Sequence, residues 1–353
     1  MMEFIPNYQN LVDAAMNKRP KRLPLYEHVV DSEIVAAVLN EEIVDIKDNS
    51  KEQVEKYVDQ LCRFYKHLTY DTVSFERGVG LILPGHGAIY GGKLGPIQNR
   101  EDFEKFPWEK LHGWYWDRFT IHFDALRKYM PEGMKAVGGL GMGVFEISED
   151  LVGYEPLCML QYDDPQLFGE IYQRIGDLMV SLWKTLLDNY GDVCCVCRMG
   201  DDLGFKSSTL LAPDVIREHV VPQYIRIVDQ IHSYNKPFLF HSCGNIFPVM
   251  DDIISRAKIN AKHSNEDQIA PYEEWISKYS DRIGLFGGID VNDLCLKTPD
   301  EIYSLVIEKG TKFRISANGY ALGSGNSIPK YVPLDGYKAM IKAVQEIRVR
   351  EDG

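Results

Sequence analysis

Eight short β-rich runs alternate with amphipathic helical stretches along this chain, and no other feature narrows its possible folds so far. The runs lie at 23–29 (LPLYEHV), 71–76 (DTVSFE), 135–139 (KAVGG), 193–200 (VCCVCRMG), 237–242 (PFLFHS), 258–263 (KINAKH), 282–288 (RIGLFGG) and 313–318 (FRISAN). Between them, stretches such as 165–191 and 213–235 repeat apolar residues every three or four positions and close on Gly or Asn, which predicts helices. A βα repeat of this kind implies a parallel sheet, and eight units close into an α/β fold of the (β/α)8 TIM-like barrel class. At 353 residues the chain exceeds the usual single core, but such barrels run to this length as one domain, and no linker or low-complexity segment divides it. The expectation is therefore a single domain over 1–353, with a helical lead-in at 1–22. The Gly-rich and aromatic stretch 79–134 is too long for an ordinary βα connection and is expected to cap the barrel mouth.

Composition excludes several classes. Hydrophobic residues make up 45% of the chain, ample for a large core, while the net charge of −13 and the lack of Lys/Arg clusters argue against nucleic acid. No run of about 18 apolar residues could cross a bilayer, and the first 22 residues lack the apolar core of a signal peptide, so a cytoplasmic location is expected. Seven cysteines form an odd set without disulfide-scaffold density. Cys194, Cys195 and Cys197 read as small packing residues of one strand, with alternation placing the latter two opposite the first. The glycines within 79–97 do not sit in the strand–turn–helix context of a dinucleotide site.

In a barrel of this class, function gathers at the carboxyl ends of the strands. His241-Ser-Cys243-Gly244-Asn245 delivers an imidazole and a thiol there, and positions i and i+2 of an extended strand project to one face, so both can reach one ion. Imidazole and thiolate are donors that zinc favours, and a catalytic zinc keeps a position open for substrate. The same end collects Glu27 and His28, Glu76 and Arg77, Glu146, Asp201 and Asp202, His263 and Glu266, Asp290, and Asn318. Each has an ordinary structural role open to it: Asp201 or Asp202 as a helix cap, Glu76 and Arg77 as ion-pair partners, His263 bonded to a loop carbonyl. Their convergence is what marks a site.

The string from Gly200 to Ile246, GDDLGFKSSTLLAPDVIREHVVPQYIRIVDQIHSYNKPFLFHSCGNI, resembles the uroporphyrinogen decarboxylase superfamily, in its branch of zinc-dependent, corrinoid-linked methyltransferases. RPKRLPLYEHV, IGLFGGIDV and ANGYALGSGNSIPKYVPLDGYKAMIKAV extend the likeness over nearly the whole chain. The resemblance implies a distorted barrel with a deep cleft, zinc on His241 and Cys243, and a corrinoid (cobalamin) arriving on a partner protein. Two departures bear on the branch. The segment YEHVVDSEIVAAVLN lacks the Arg-rich clamp of true decarboxylases, and a mouth ringed by Glu27, Glu76, Asp201 and Asp202 is expected to repel a polyacidic tetrapyrrole. Thiol-methylating members carry a zinc-binding Cys where this chain has Gly323-Ser324-Gly325, so the third ligand is sought among Glu146, Asp202 and His263, with Glu146 assigned to the metal set.

Asp202 and Glu76 are expected to transfer protons or orient substrate, with His28, Asp201, His263 and Ser324 contacting it. Losing one thiolate makes zinc a stronger Lewis acid toward oxygen, which favours removal of a methyl group from a methylated, methoxy-type small molecule to the corrinoid cobalt. Methylation of a thiol from methyl-cobalt, uroporphyrinogen decarboxylation and non-catalytic ligand binding are the alternatives. The aromatic stretch 111–119 is read either as a packed layer or as a pocket wall. A homodimer is compatible with the sequence but not specified by it.

Overall fold

The computed structural model describes residues 4–44 and 46–352. Seven strands form one curled parallel sheet in chain order: β1 Val73–Glu76, β2 Ala136–Met142, β3 Cys194–Gly200, β4 Phe238–His241, β5 Ala261–His263, β6 Gly284–Ile289 and β7 Tyr320–Ser324. The first six match the expected runs. The run at 313–318 does not, because Phe313 continues the helix Pro299–Ser316, whose buried Ile302, Val306, Gly310 and Phe313 recur every three or four residues. The strand begins two residues beyond that run, so Asn318 precedes β7 instead of ending it.

The expected first strand, 23–29, is reduced to isolated bridges, Leu25 with Leu322 and, just beyond it, Val30 with Ile328. Tyr26 N–H donates to the Leu322 carbonyl at 2.9 Å, and the Ser74 hydroxyl of β1 donates to the Glu27 carbonyl. The segment thus touches both β7 and β1 without a ladder; Pro24, which has no N–H, contributes only its carbonyl, to Leu322 N–H at 3.0 Å.

Two apolar cores flank the sheet. The larger lies between the strands and the outer helices. A small inner one joins Leu11, Ala14 and Ala15 of the lead-in helix Gln9–Ala15 to Val137, Cys195, Leu239, Ala261, Phe286 and Ala321 near the amino ends of the strands. The lead-in therefore plugs the end opposite the site. Cys195 is an extra residue in the β2–β3 register, since Ala136 pairs with Cys194 and Val137 with Val196. This bulge breaks strict alternation. Cys195 lies in the inner core, opposite Cys194 as expected, but Cys197 shares the outer core with Cys194.

The stretch 79–134 is not one cap. Its helix Trp108–Tyr129 packs against the helices Lys51–His67 and Pro165–Tyr190 in the outer layer. There Tyr115 donates to the Arg77 carbonyl at 2.9 Å, Trp116 stacks on Tyr190 and Phe119 is buried, so these aromatics of 111–119 are packing residues, while Trp114 is exposed. Only the part before that helix runs beside the helix Val144–Val152: Gly87 N–H donates to Asp150 at 2.5 Å and Ile97 N–H to the Leu151 carbonyl at 2.9 Å.

Candidate functional site

Strand register brings the donors together. Gly200, His241 and His263 lie side by side at the ends of β3, β4 and β5. His241 is buried, Cys243 follows it two residues later, and Asp202 sits two residues past β3. His241 Nε2 lies 3.5 Å from Cys243 Sγ and 3.8 Å from Asp202 Oδ1, while Cys243 N–H donates to Asp202 Oδ1 at 2.8 Å. Ligand atoms of all three lie within 4.8 Å of one another. Gly244 makes this turn feasible: its φ is +77°, and a Cβ there would come within 2.1 Å of the Gly204 backbone.

Hydrogen bonding sets the proton positions. His263 Nε2 faces the Ser324 carbonyl at 2.9 Å, and a carbonyl only accepts, so that nitrogen carries the proton. His263 Nδ1 is then bare and accepts from His241 Nδ1 at 2.7 Å, which leaves His241 Nε2 bare and turned toward Asp202 and Cys243. Burial keeps both rings neutral, holding His263 down at about 3 and His241 well below the usual imidazole range. Asn326 Nδ2 at 3.2 Å and Ser264 Oγ at 3.7 Å donate to Cys243 Sγ. Burial pushes the free thiol's pKa up, so a positive charge beside it is what would favour the thiolate. A bare imidazole nitrogen, a carboxylate oxygen and a sulfur form a donor set that fits zinc.

Several expected site residues are occupied elsewhere. Among the described residues, the Glu146 side chain receives only the Asp202 N–H, at 3.4 Å, and is absent from the donor cluster, where Asp202 stands instead. Burial, then the charges of Asp202 and Asp201, raise its pKa well above the carboxylate range. Asp201 caps the helix Val144–Val152, accepting from Phe145 N–H at 3.0 Å, Glu146 N–H at 2.8 Å and the Tyr224 hydroxyl. Asp290 likewise accepts from Asn292 N–H and Asp267 N–H, both at 2.7 Å. Glu76 is bound by Arg198 at 2.5 and 3.1 Å, which ties up the carboxylate expected to transfer protons.

Ser324 Oγ is committed to Glu27 at 2.5 Å, and the residue reaches the site through its carbonyl. Glu27 is fully buried and its carboxyl is pushed up to about 8, chiefly by desolvation. The expected acidic ring is thus absent: Glu27 is neutral near pH 7, Glu76 is paired, Asp201 is capped, and only Asp202 of the four is substantially exposed.

A cavity of about 200 Å³ adjoins the donors, lined by His28, Tyr57, Tyr65, Phe75, Arg77 and Arg198 among others. The His28 ring forms its wall toward the donors and stacks on His241 with centroids 3.6 Å apart. Arg198 is fully buried and bonds Tyr26 Oη at 3.1 Å and the His28 carbonyl at 2.7 Å as well as Glu76, fixing that wall. Sequence reasoning missed Arg198, although a cation inside an otherwise apolar strand is itself a signal. It also missed Tyr57 and Tyr65, which with Leu61 form an i, i+4, i+8 stripe on the helix Lys51–His67.

The family model of uroporphyrinogen decarboxylase (URO-D) matches residues 93–347. Among solved structures, a methyltransferase from Methanosarcina mazei aligns with a TM-score of 0.70 at 13% identity, over 96% of this chain and 97% of that one. Endo-glycoceramidase II from Rhodococcus sp. aligns with a TM-score of 0.46 at 12% identity, over 92% of this chain and 78% of that one. At such identities the first likeness speaks for the fold alone, and the second carries no argument. No curated protein matches the sequence.

Proposed function

The chain belongs to the uroporphyrinogen decarboxylase family, and from that premise we propose that it is a zinc-dependent methyltransferase, moving a methyl group from a methoxy-type small molecule to the cobalt of a corrinoid protein. The observation that carries this reading is the convergence of Asp202, His241 and Cys243 with the proton on the far side of His241. Decarboxylation of a tetrapyrrole has no use for such a donor set. Zinc held there would draw electron density from the ether oxygen as the methyl group leaves.

The remaining work falls to the protein. His263 and the Ser324 carbonyl keep His241 Nε2 unprotonated and aimed. Asn326 and Ser264 steady the sulfur. Arg198 and Glu76 hold His28 against His241, so the wall between cavity and donors keeps its position. Cys243 is the only sulfur in the donor cluster among the described residues; Ser324, at the position where the resemblance to thiol-methylating relatives implies a second thiolate, turns its hydroxyl to Glu27. A single thiolate leaves more positive charge on zinc, which favours an oxygen leaving group over a thiolate acceptor.

The test is to mix the zinc-loaded protein with a reduced corrinoid protein and a panel of methoxy compounds, following formation of methyl-cobalt by absorbance. Methyl transfer is expected, and the double variant His241→Ala/Cys243→Ala should abolish it. Undiminished turnover in that variant, or conversion of uroporphyrinogen at a comparable rate, would overturn the reading.

A further inference from the structure

Arg77 follows β1 on the wall of the cavity, and its guanidinium is only partly satisfied. Nε donates to His122 Nδ1 at 2.7 Å and Nη1 to the Glu76 carbonyl at 2.9 Å, while Nη2 is buried with no partner among the described residues. Among the described residues no carboxylate lies within ion-pairing distance of it. His122 supplies no compensating charge, since it accepts from Arg77 and burial holds its pKa down at about 3. The guanidinium is pinned over Phe75 and Tyr57, at 4.5 and 5.2 Å from the ring centroids. Glu76, the acid of this wall, is bound to Arg198, so Arg77 leaves the cavity with one uncompensated positive charge.

Arg77 is half-buried as a residue, but its Nη2 is buried, and a buried N–H donor without a partner carries a desolvation cost that a ligand bringing an acceptor and the missing charge removes. His28 Nδ1, on the same wall, is a second buried atom without a partner. The cavity of about 200 Å³ holds on the order of ten non-hydrogen atoms, and Tyr57, Leu61, Tyr65 and Phe75 give it flat apolar walls.

We propose that this cavity binds the carboxylate end of a small planar monoanion, its oxygen on Arg77 Nη2 and a polar substituent on His28 Nδ1. Arg77 is then a specificity-determining residue. This rests on the methyltransferase reading for its substrate role: the acidic end of the molecule is held in the cavity, across the His28 ring from the donors, and the reacting end rounds the edge of that ring. One free guanidinium nitrogen suits a carboxylate, whereas a phosphate dianion calls for more donors than the wall offers.

Benzoate, benzamide and inorganic phosphate serve as probes, titrated calorimetrically into the full chain with and without zinc. Benzoate should bind at least about tenfold more tightly than its neutral isostere benzamide, as a charge-assisted hydrogen bond implies, with phosphate weaker than benzoate. Arg77→Gln should erase the preference and Arg77→Lys restore part of it. Equal binding of benzoate and benzamide to the unaltered protein overturns the proposal even if the Arg77 variants fail to fold, and so does phosphate binding as tight as benzoate. A preference unchanged in Arg77→Gln overturns it as well. The benzoate preference should be the same in the zinc-free as in the zinc-loaded protein, so failure of methyl transfer and failure of anion recognition are read separately.

Discussion

His263 acts on the donors through His241, and removing its ring leaves His241 Nδ1 without the acceptor that fixes its tautomer. His263→Ala is therefore expected to weaken zinc binding by ~10–100-fold while Asp202, His241 and Cys243 all remain. Competition with a chromophoric chelator measures this, and unchanged affinity would mean that the relay does not orient the ligand. Asp201→Asn separates a cap from a substrate contact. It should cost ~1–3 kcal/mol in urea unfolding, because two backbone N–H groups and the Tyr224 hydroxyl share that carboxylate, and zinc content should stay the same. Loss of zinc without loss of stability would contradict the capping role. The His241–Cys243 pair was legible in sequence because two donors two residues apart at a strand end can meet at one point, although β4 itself stops at His241. The third donor was not, since whether Asp202 or Glu146 reaches the pair depends on how the helix after β2 docks on Asp201. Nor could a sequence reveal which ring nitrogen of His263 meets the Ser324 carbonyl.

At the level of elements, the lead-in helix Gln9–Ala15 fills the end of the sheet opposite the site, and Leu11 is completely buried there. Leu11→Ala should destabilise the protein by ~2–4 kcal/mol through the cavity it leaves, with zinc binding intact below the new unfolding transition. A change within ~0.5 kcal/mol would show that the plug contributes little. Six strands were legible because their apolar runs end in Gly, Asn or polar clusters. The run at 313–318 misled because Phe313 and Ile315 look β-like locally, whereas Phe313 falls in step with Ile302, Val306 and Gly310 upstream. Tertiary packing decided that choice. The stretch 213–235 was legible as helical but not as interrupted: a π turn at Ile216–Val220 separates Pro213–Val215 from Val221–His232, just ahead of Pro222, which has no N–H to give. The supposed cap failed as a unit because length alone cannot tell a crossing loop from a loop that precedes an outer-layer helix.

For the whole molecule, buried titratable groups set a pH window. Desolvation raises Glu27 and Glu149 from 4.5 to about 8, so each contributes stability that is fully present below pH 4.5 and is lost as pH rises to about 8. His122 runs the other way: its pKa falls from 6.5 to about 3, so its contribution is present above pH 6.5 and is lost as pH drops toward 3. Glu27→Gln should accordingly gain on the unaltered protein between pH 5 and pH 8, by up to a few kcal/mol at ~1.4 kcal/mol per pKa unit. Urea midpoints at the two pH values measure the gain, and a pH-independent difference would show that Glu27 titrates normally.

The central claim is that one metal ion is held by Asp202, His241 and Cys243, and X-ray absorption at the zinc edge tests it most directly. The zinc-loaded protein should show one sulfur near 2.3 Å with the remaining donors nitrogen and oxygen, and Cys243→Ser should remove the sulfur shell altogether. Two or more sulfur ligands that persist in that variant, or a protein that retains no stoichiometric zinc, would contradict it.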